Sequence, residues 1–208
     1  MKMKEIIDAM GGPTILVFVG ALLSAVGAVW AGIDQNKNSR KLDEKNEEIA
    51  RLSREIANSV TGGPTVCYLA PMGGSPNIVT LVSSGDFPLY DVSVRIVDLE
   101  LFEAKKNEPF TLDSIRKNEV SLDLGGMPPK SARILGPLLQ LSGETRRWNI
   151  FFSARNGFFT QLLRMKKVDG VWKSAIRVTR DTGKGSEVAF EQITDGYPRG
   201  ADGAVDWK

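Results

Sequence analysis

Between Asp8 and Asp34 the chain runs for 25 residues without a lysine, arginine, aspartate or glutamate. No other stretch limits the fold so strongly. A helix rises about 1.5 Å per residue, so roughly 20 apolar residues cross a hydrocarbon core of about 30 Å. Pro13 suits a first helical turn, where its missing N–H does no harm. Ile15, Leu16, Val17, Phe18, Val19, Leu22, Leu23, Val26 and Val29 supply apolar surface, and Trp30 falls where an interfacial aromatic belongs. Residues 13–33 read as a transmembrane helix behind a short tail, 1–12. Two other readings compete. A cleaved signal peptide would use Lys2 and Lys4 as its basic region, but Glu5 and Asp8 sit among them and the apolar run exceeds the usual length. A buried core helix would be shorter.

The same run carries a second pattern. Gly20, Ser24, Ala28 and Gly32 recur every four residues, with Ala21 and Ala25 beside them. Small residues at this spacing form a stripe that lets another helix approach closely in lipid, so the helix is expected to self-associate. Residues 34–60 hold six basic and six acidic side chains. Leu42, Ile49, Leu52 and Ile56 make an a/d-like seam interrupted by Lys45 and Ser59. This segment reads as a helical stalk, either paired as a short coiled coil or lone. Fully helical, its 27 residues reach about 40 Å.

Thr61-Gly62-Gly63-Pro64 stops the helix, because glycine suits the C-cap and proline cannot continue. Beyond it the pattern alternates. Thr65–Ala70, Asn77–Ser83 and Leu89–Asp98 read as strands, the last with Tyr90, Val92, Val94 and Ile96 on one face. Residues 111–117 suit a short helix, Glu119–Leu124 and Ser131–Leu135 strands, with a break from Gly125 to Pro129. Arg146–Ala154, Phe158–Lys167, Val171–Arg180 and Glu187–Ile193 form an antiparallel meander. Its turns are signalled by Asn156-Gly157 and Asp169-Gly170. Trp148, Ile150 and Phe152 share one face, as do Trp172, Ile176 and Val178. Residues 61–194 are therefore expected to form an antiparallel β-sandwich, with a small β-barrel as the alternative. Residues 195–208 read as an extended or poorly ordered tail.

Composition narrows the chemistry. The 208 residues contain no histidine, which removes the usual general base and the commonest metal ligand. The single cysteine, Cys67, lies in an apolar run and reads as a buried hydrophobe. Gly73-Gly74 and Gly125-Gly126 lack the Gly-Lys-Ser/Thr of a phosphate loop. Asp195, Asp202 and Asp206 lack calcium-loop spacing. Asp91, Asp98, Glu100 and Glu103 have no fixed mutual geometry. No catalytic, metal or cofactor set emerges, and the chain is expected not to be an enzyme.

Net charge is +2, but residues 146–184 hold ten basic and two acidic side chains. Arg146, Arg147, Arg155, Arg164, Lys166, Lys167, Lys173 and Arg177 are the candidate patch for an anionic partner. Alternation sends Arg164 and Lys166 to one side of the sheet and Lys167 to the other. The plainer reading is a solvated sheet face whose lysines discourage edge pairing.

The layout resembles small bitopic bacterial membrane proteins in architecture alone. It implies a membrane-anchored, non-enzymatic binding or scaffold module. The expected associations are the bilayer, a second copy through helix and stalk, and an unidentified protein partner, with no nucleic acid. The alternative is a binder of anionic lipid headgroups or another anionic ligand through the meander. A weaker one is a carbohydrate-binding module using Trp148 or Trp172. Lys37, Arg40, Lys41 and Lys45 after the span, against Lys2 and Lys4 before it, lean toward a cytoplasmic C-terminal domain. A periplasmic or extracellular domain is the alternative.

Overall fold

The computed structural model describes residues 12–105, 119–183 and 185–208. The short helix expected at 111–117 lies outside them. The chain divides into two compact units, residues 1–55 and 56–208.

Helix α1 runs unbroken from Gly12 to Thr61. It is long and apolar enough to cross a membrane. The segments expected as span and stalk are thus one continuous helix, because no proline or glycine pair interrupts residues 14–61. Its apolar side chains lie open: Phe18 is 65 % exposed and Trp30 77 %. The helix stops as its sequence dictates. Gly62 and Gly63 take positive φ, and the Gly62 N–H donates to the Asn58 carbonyl.

The remainder forms two antiparallel sheets. The strands are β1 (Val66–Met72), β2 (Ser75–Ser84), β3 (Leu89–Asp98), β4 (Glu119–Met127), β5 (Ala132–Pro137), β6 (Thr145–Ala154), β7 (Gly157–Val168), β8 (Val171–Asp181) and β9 (Ser186–Ile193). A short helix, α2 (Leu99–Ala104), follows β3. The small sheet has the order β1-β2-β5 and the large one β4-β3-β6-β7-β8-β9. Neither closes on itself, so the architecture is a sandwich and the barrel alternative falls.

Period-two alternation builds the core. Leu69, Val79 and Leu81 from the small sheet meet Val94, Ile96, Trp148, Ile150, Phe152, Leu163 and Ile176 from the large one. A fully buried polar side chain helps join the layers. Gln161, fully buried on β7, accepts from the Leu69 N–H through Oε1 and donates from Nε2 to the Leu69 carbonyl, each at 2.7 Å. A primary amide matches a peptide group in donor and acceptor, so both edge groups of β1 are satisfied there.

Four local expectations are corrected. On β3 the inward set begins with Leu89, not Tyr90. Asp91 takes φ +55° and the pairing slips between Leu89 and Val92, so an extra residue reverses the parity there. Strand β4 does not break at Gly125 but continues to Met127 across the same irregularity. The β6–β7 turn is centred on Arg155-Asn156, one residue earlier than the glycine signal implied, with Gly157 at φ +117°. The Asn156 amide is committed elsewhere, donating to the carbonyls of Gly63 and Thr65. The largest correction concerns residues 195–208, which are no loose tail. Tyr197 and Val205 are buried against Ala175, with Ile193 and Trp207 packed beside them. Two tight turns fold the segment, closed by Gly200 N–H to the Ala204 carbonyl and Tyr197 N–H to that of Thr194. It forms a strap on the outer face of the large sheet.

Candidate functional site

The basic residues of the meander divide by strand parity. Arg147, Arg164, Lys166, Lys173 and Arg177 occupy the outer face, where Arg147 pairs in register with Arg164 and Lys166 with Lys173. Lys167 is registered with Trp172 on the other side, as alternation required. Arg146 belongs to the inner face, and Arg155 sits in the β6–β7 turn. The eight residues do not form one patch.

Most are already engaged. Buried Arg146 forms an ion pair with Asp98 and lies over the Trp148 ring, 5.5 Å from its centroid. Asp98 also accepts from the Leu101 N–H at 3.1 Å and so caps α2. Through that cap, α2 brings Glu100 and Glu103 onto Arg147, at 2.9 and 2.8 Å. The hydrogen bond with Glu100 holds the Arg147 guanidinium above its usual pKa, opposed in part by burial. Arg155 reaches Asp91 at 2.9 Å and Arg177 reaches Glu191 at 2.6 Å. Asp91, Asp98, Glu100 and Glu103 are thus counter-ions to arginines. No group of three or more acidic or cysteine side chains among the described residues is placed to hold a metal.

Arg164 differs. It is 3 % exposed and has no carboxylate within ion-pair distance among the described residues. Its N–H groups donate instead to the carbonyls of Trp207, Trp148 and Leu163 and to Asn149 Oδ1. Burial lowers its pKa, and Arg147 lowers it further. Trp207 also receives Arg177 over its ring, 4.3 Å from the centroid. The strap therefore covers two of the residues proposed for an open patch. Sequence reasoning missed it, although Val205 and Trp207 carry a period-two signal. Lys166, Lys167 and Lys173 keep no carboxylate partner among the described residues.

Between strap and sheet lies a hollow of about 400 Å³, lined by Glu100, Arg147, Arg164, Lys166, Tyr197 and Asp206 among others. A second groove of about 550 Å³ lies toward the other end of β6 and β7. There Phe158 is 72 % exposed and Arg95 sits over the Phe151 ring at 4.6 Å.

On α1 the expected stripe is open. A Cβ added at Gly20 or Gly32 would meet nothing within 4 Å. Ser24 and Ala28 are exposed beside them. The stalk seam is equally uncovered, with Leu42, Ile49, Leu52 and Ile56 all exposed. Of the two tryptophans considered for sugar stacking, Trp148 is in the core and Trp172 is half-buried against it. Cys67 is buried, and burial pushes its thiol up to about 12, far from a reactive thiolate.

No protein-family model, curated protein or solved structure matches this chain.

Proposed function

We propose that this protein is a single-pass, membrane-anchored, non-enzymatic scaffold that self-associates along α1 and presents its sandwich to a protein partner. The observation that carries the reading is the continuity of α1. At about 100° per residue, with Ser24 at zero, Gly20 falls near −40°, Ala28 near +40°, Gly32 near +80°, Leu42 near 0°, Ile49 near −20°, Ile56 near −40° and Leu52 near −80°. The lipid-level stripe and the stalk seam therefore overlap on one side of the rod, with Gly32 and Leu52 at its two margins. A helix broken between them would lose that phase. Close backbone approach in the bilayer and apolar pairing above it then reinforce each other as a short coiled coil.

The non-enzymatic half of the reading rests on the arginine-paired carboxylates, the absence of histidine and the buried thiol. The partner-facing half rests on exposed Phe158 beside Phe151 and Arg95, an aromatic and arginine surface of the kind enriched at interfaces. Lysine and arginine counts around the span favour a cytoplasmic sandwich. A reporter joined beyond Lys208 and active only outside the cytoplasm would reverse that assignment.

The test of self-association is cross-linking in native membranes. Changing Gly20, Ser24 and Ala28 together to leucine is expected to abolish the dimer band, and Ile49→Lys to weaken it. An unchanged band in the triple variant rejects the reading.

A further inference from the structure

Beyond Ile33, helix α1 carries a heptad pattern whose a and d side chains all lie open. Placing Ile49 at a sets Gln35, Leu42 and Ile56 at a as well, and Asn38, Lys45, Leu52 and Ser59 at d. The pattern does not stop at the span. Carried back, it puts Ala31 and Ser24 at d and Ala28 and Ala21 at a, with Gly20 and Gly32 on the flanks. A straight helix drifts about 20° per heptad from such a repeat, and a left-handed supercoil removes the drift. Isoleucine at a with leucine at d is the combination that favours two parallel strands. The flanks agree. In a parallel pair each g residue faces the e residue of the next heptad on the second copy, so Asp34, Lys41, Glu48 and Glu55 would meet Ser39, Asn46, Ser53 and Val60. None of these e residues is charged, so no like charges oppose one another. Glu48 and Glu55 are moreover tied within their own helix to Lys45 and Arg51, at 3.1 and 3.3 Å.

We infer that α1 pairs with one second copy as a parallel, two-stranded coiled coil in a single heptad register from Ala21 to Ser59, aligned by polar layers at Gln35 and Asn38. The inference rests on the self-association proposed above and adds its number, direction and alignment. Two copies inserted by the same span in the same orientation run parallel. A seam of alanines and leucines alone would accept several alignments. The amides remove that freedom. Two Asn38 side chains facing each other offer a donor and an acceptor apiece, so the pair satisfies itself. A slip of one heptad sets Asn38 against Lys45 or Ala31, and Gln35 against Leu42 or Ala28, which leaves amide groups in the seam without a match. A polar core layer fixes register and strand number in this way at some cost in stability. Lys45 does not break the seam, because its ammonium reaches out to Glu48 and its methylene stem fills the layer.

The experiment places one cysteine at a time on α1 of the full chain and oxidises native membranes with copper phenanthroline. The parent is the blank, since its single cysteine, Cys67, is buried. Two thiols join only where their Cα atoms come within about 7 Å, as equivalent a or d residues do across such a pair. Gln35→Cys, Asn38→Cys, Lys45→Cys and Ile49→Cys are expected to give a disulfide dimer. Asn36→Cys, Glu44→Cys, Glu47→Cys and Arg54→Cys point away from the seam and should give about tenfold less. All eight positions are exposed, so folding is not at stake. Copies are counted in the same membranes by the bleaching steps of a fluorescent tag joined beyond Lys208, with two steps as the expected maximum. Asn38→Leu should still pair but add species with three or more steps. Equal bands at all eight positions would leave self-association standing and overturn the seam. Bands at none would overturn both. Three or more steps in the parent would overturn the strand number, and an Asn38→Leu variant confined to two would overturn the role of that amide.

Discussion

Replacing Asp98 by alanine removes two interactions at once. Its carboxylate meets Arg146 in a buried ion pair, and the same group caps α2 through the Leu101 N–H. Deleting one member of such a pair leaves the other charge buried and unmatched, which costs about 3–5 kcal/mol. Losing the cap adds about 1 kcal/mol. Unfolding of a domain of this size loses about 2–4 °C of melting temperature per kcal/mol. Asp98→Ala should therefore melt roughly 10–20 °C below the parent. Asp98→Asn keeps an oxygen for the Leu101 N–H and should recover the capping share alone. Arg146→Met should cost about as much as Asp98→Asn, since each strands one charge. The informative variant is the double Asp98→Asn, Arg146→Met. With no charge left to strand, it should lie within about 1–2 kcal/mol of the parent, far from the sum of the singles. Near-ultraviolet circular dichroism of the full chain in uncharged detergent reads the melt, because Trp148 lies in the core under Arg146. Additive losses in the double variant would refute the coupling, and single variants that melt with the parent would refute the pair.

Gln161→Leu should cost about 2–4 kcal/mol by leaving both the N–H and the carbonyl of Leu69 buried and unpaired, read as a lower urea midpoint. Gly85 takes φ +150°, and a Cβ there would stand 2.7 Å from the Thr65 Cα. Gly85→Ala should therefore lose about 3 kcal/mol or fail to fold, whereas Gly73→Ala, with open space around it, should be near neutral by the same melt. Cys67 should resist iodoacetamide at pH 8 in the native state and react quickly in urea. Its folded pKa is raised to about 12 from a model-compound value of 9.0, so the unfolded thiol deprotonates first. The sign follows: the stability this group contributes is complete below pH 9 and falls as pH rises from 9 toward 12. Rapid native labelling at pH 8 would contradict the burial.

Alternation of apolar residues was enough to place β6, β7, β8 and β9 and the inward faces of β6 and β8, because Trp148, Ile150 and Phe152, and Trp172, Ile176 and Val178, obey the pleat. It failed at β3 because a bulge is a single backbone event at Asp91, and no side-chain pattern marks where parity reverses. The pairing of charges was illegible for a related reason. Arg147 and Glu100 lie 47 residues apart in sequence and meet only once α2 has turned the chain. The basic block between 146 and 184 was plain from composition. The pairing of Arg146, Arg147, Arg155 and Arg177 within it was not, since their counter-ions come from β3, α2 and β9. Glycines and aspartates in 195–208 hid the strap: their turn chemistry reads as disorder until Tyr197, Val205 and Trp207 are given a surface to cover.

The amide of Gln161 has a mechanical consequence. Greasy contacts between two layers tolerate sliding, because one methyl group serves nearly as well as its neighbour. A carboxamide locked to both dipoles of a single residue does not, and a slip of one position would snap the pair of bonds together. That buried polar side chain works as an index mark, fixing the alignment of two sheets that oily surfaces alone would leave free to shear.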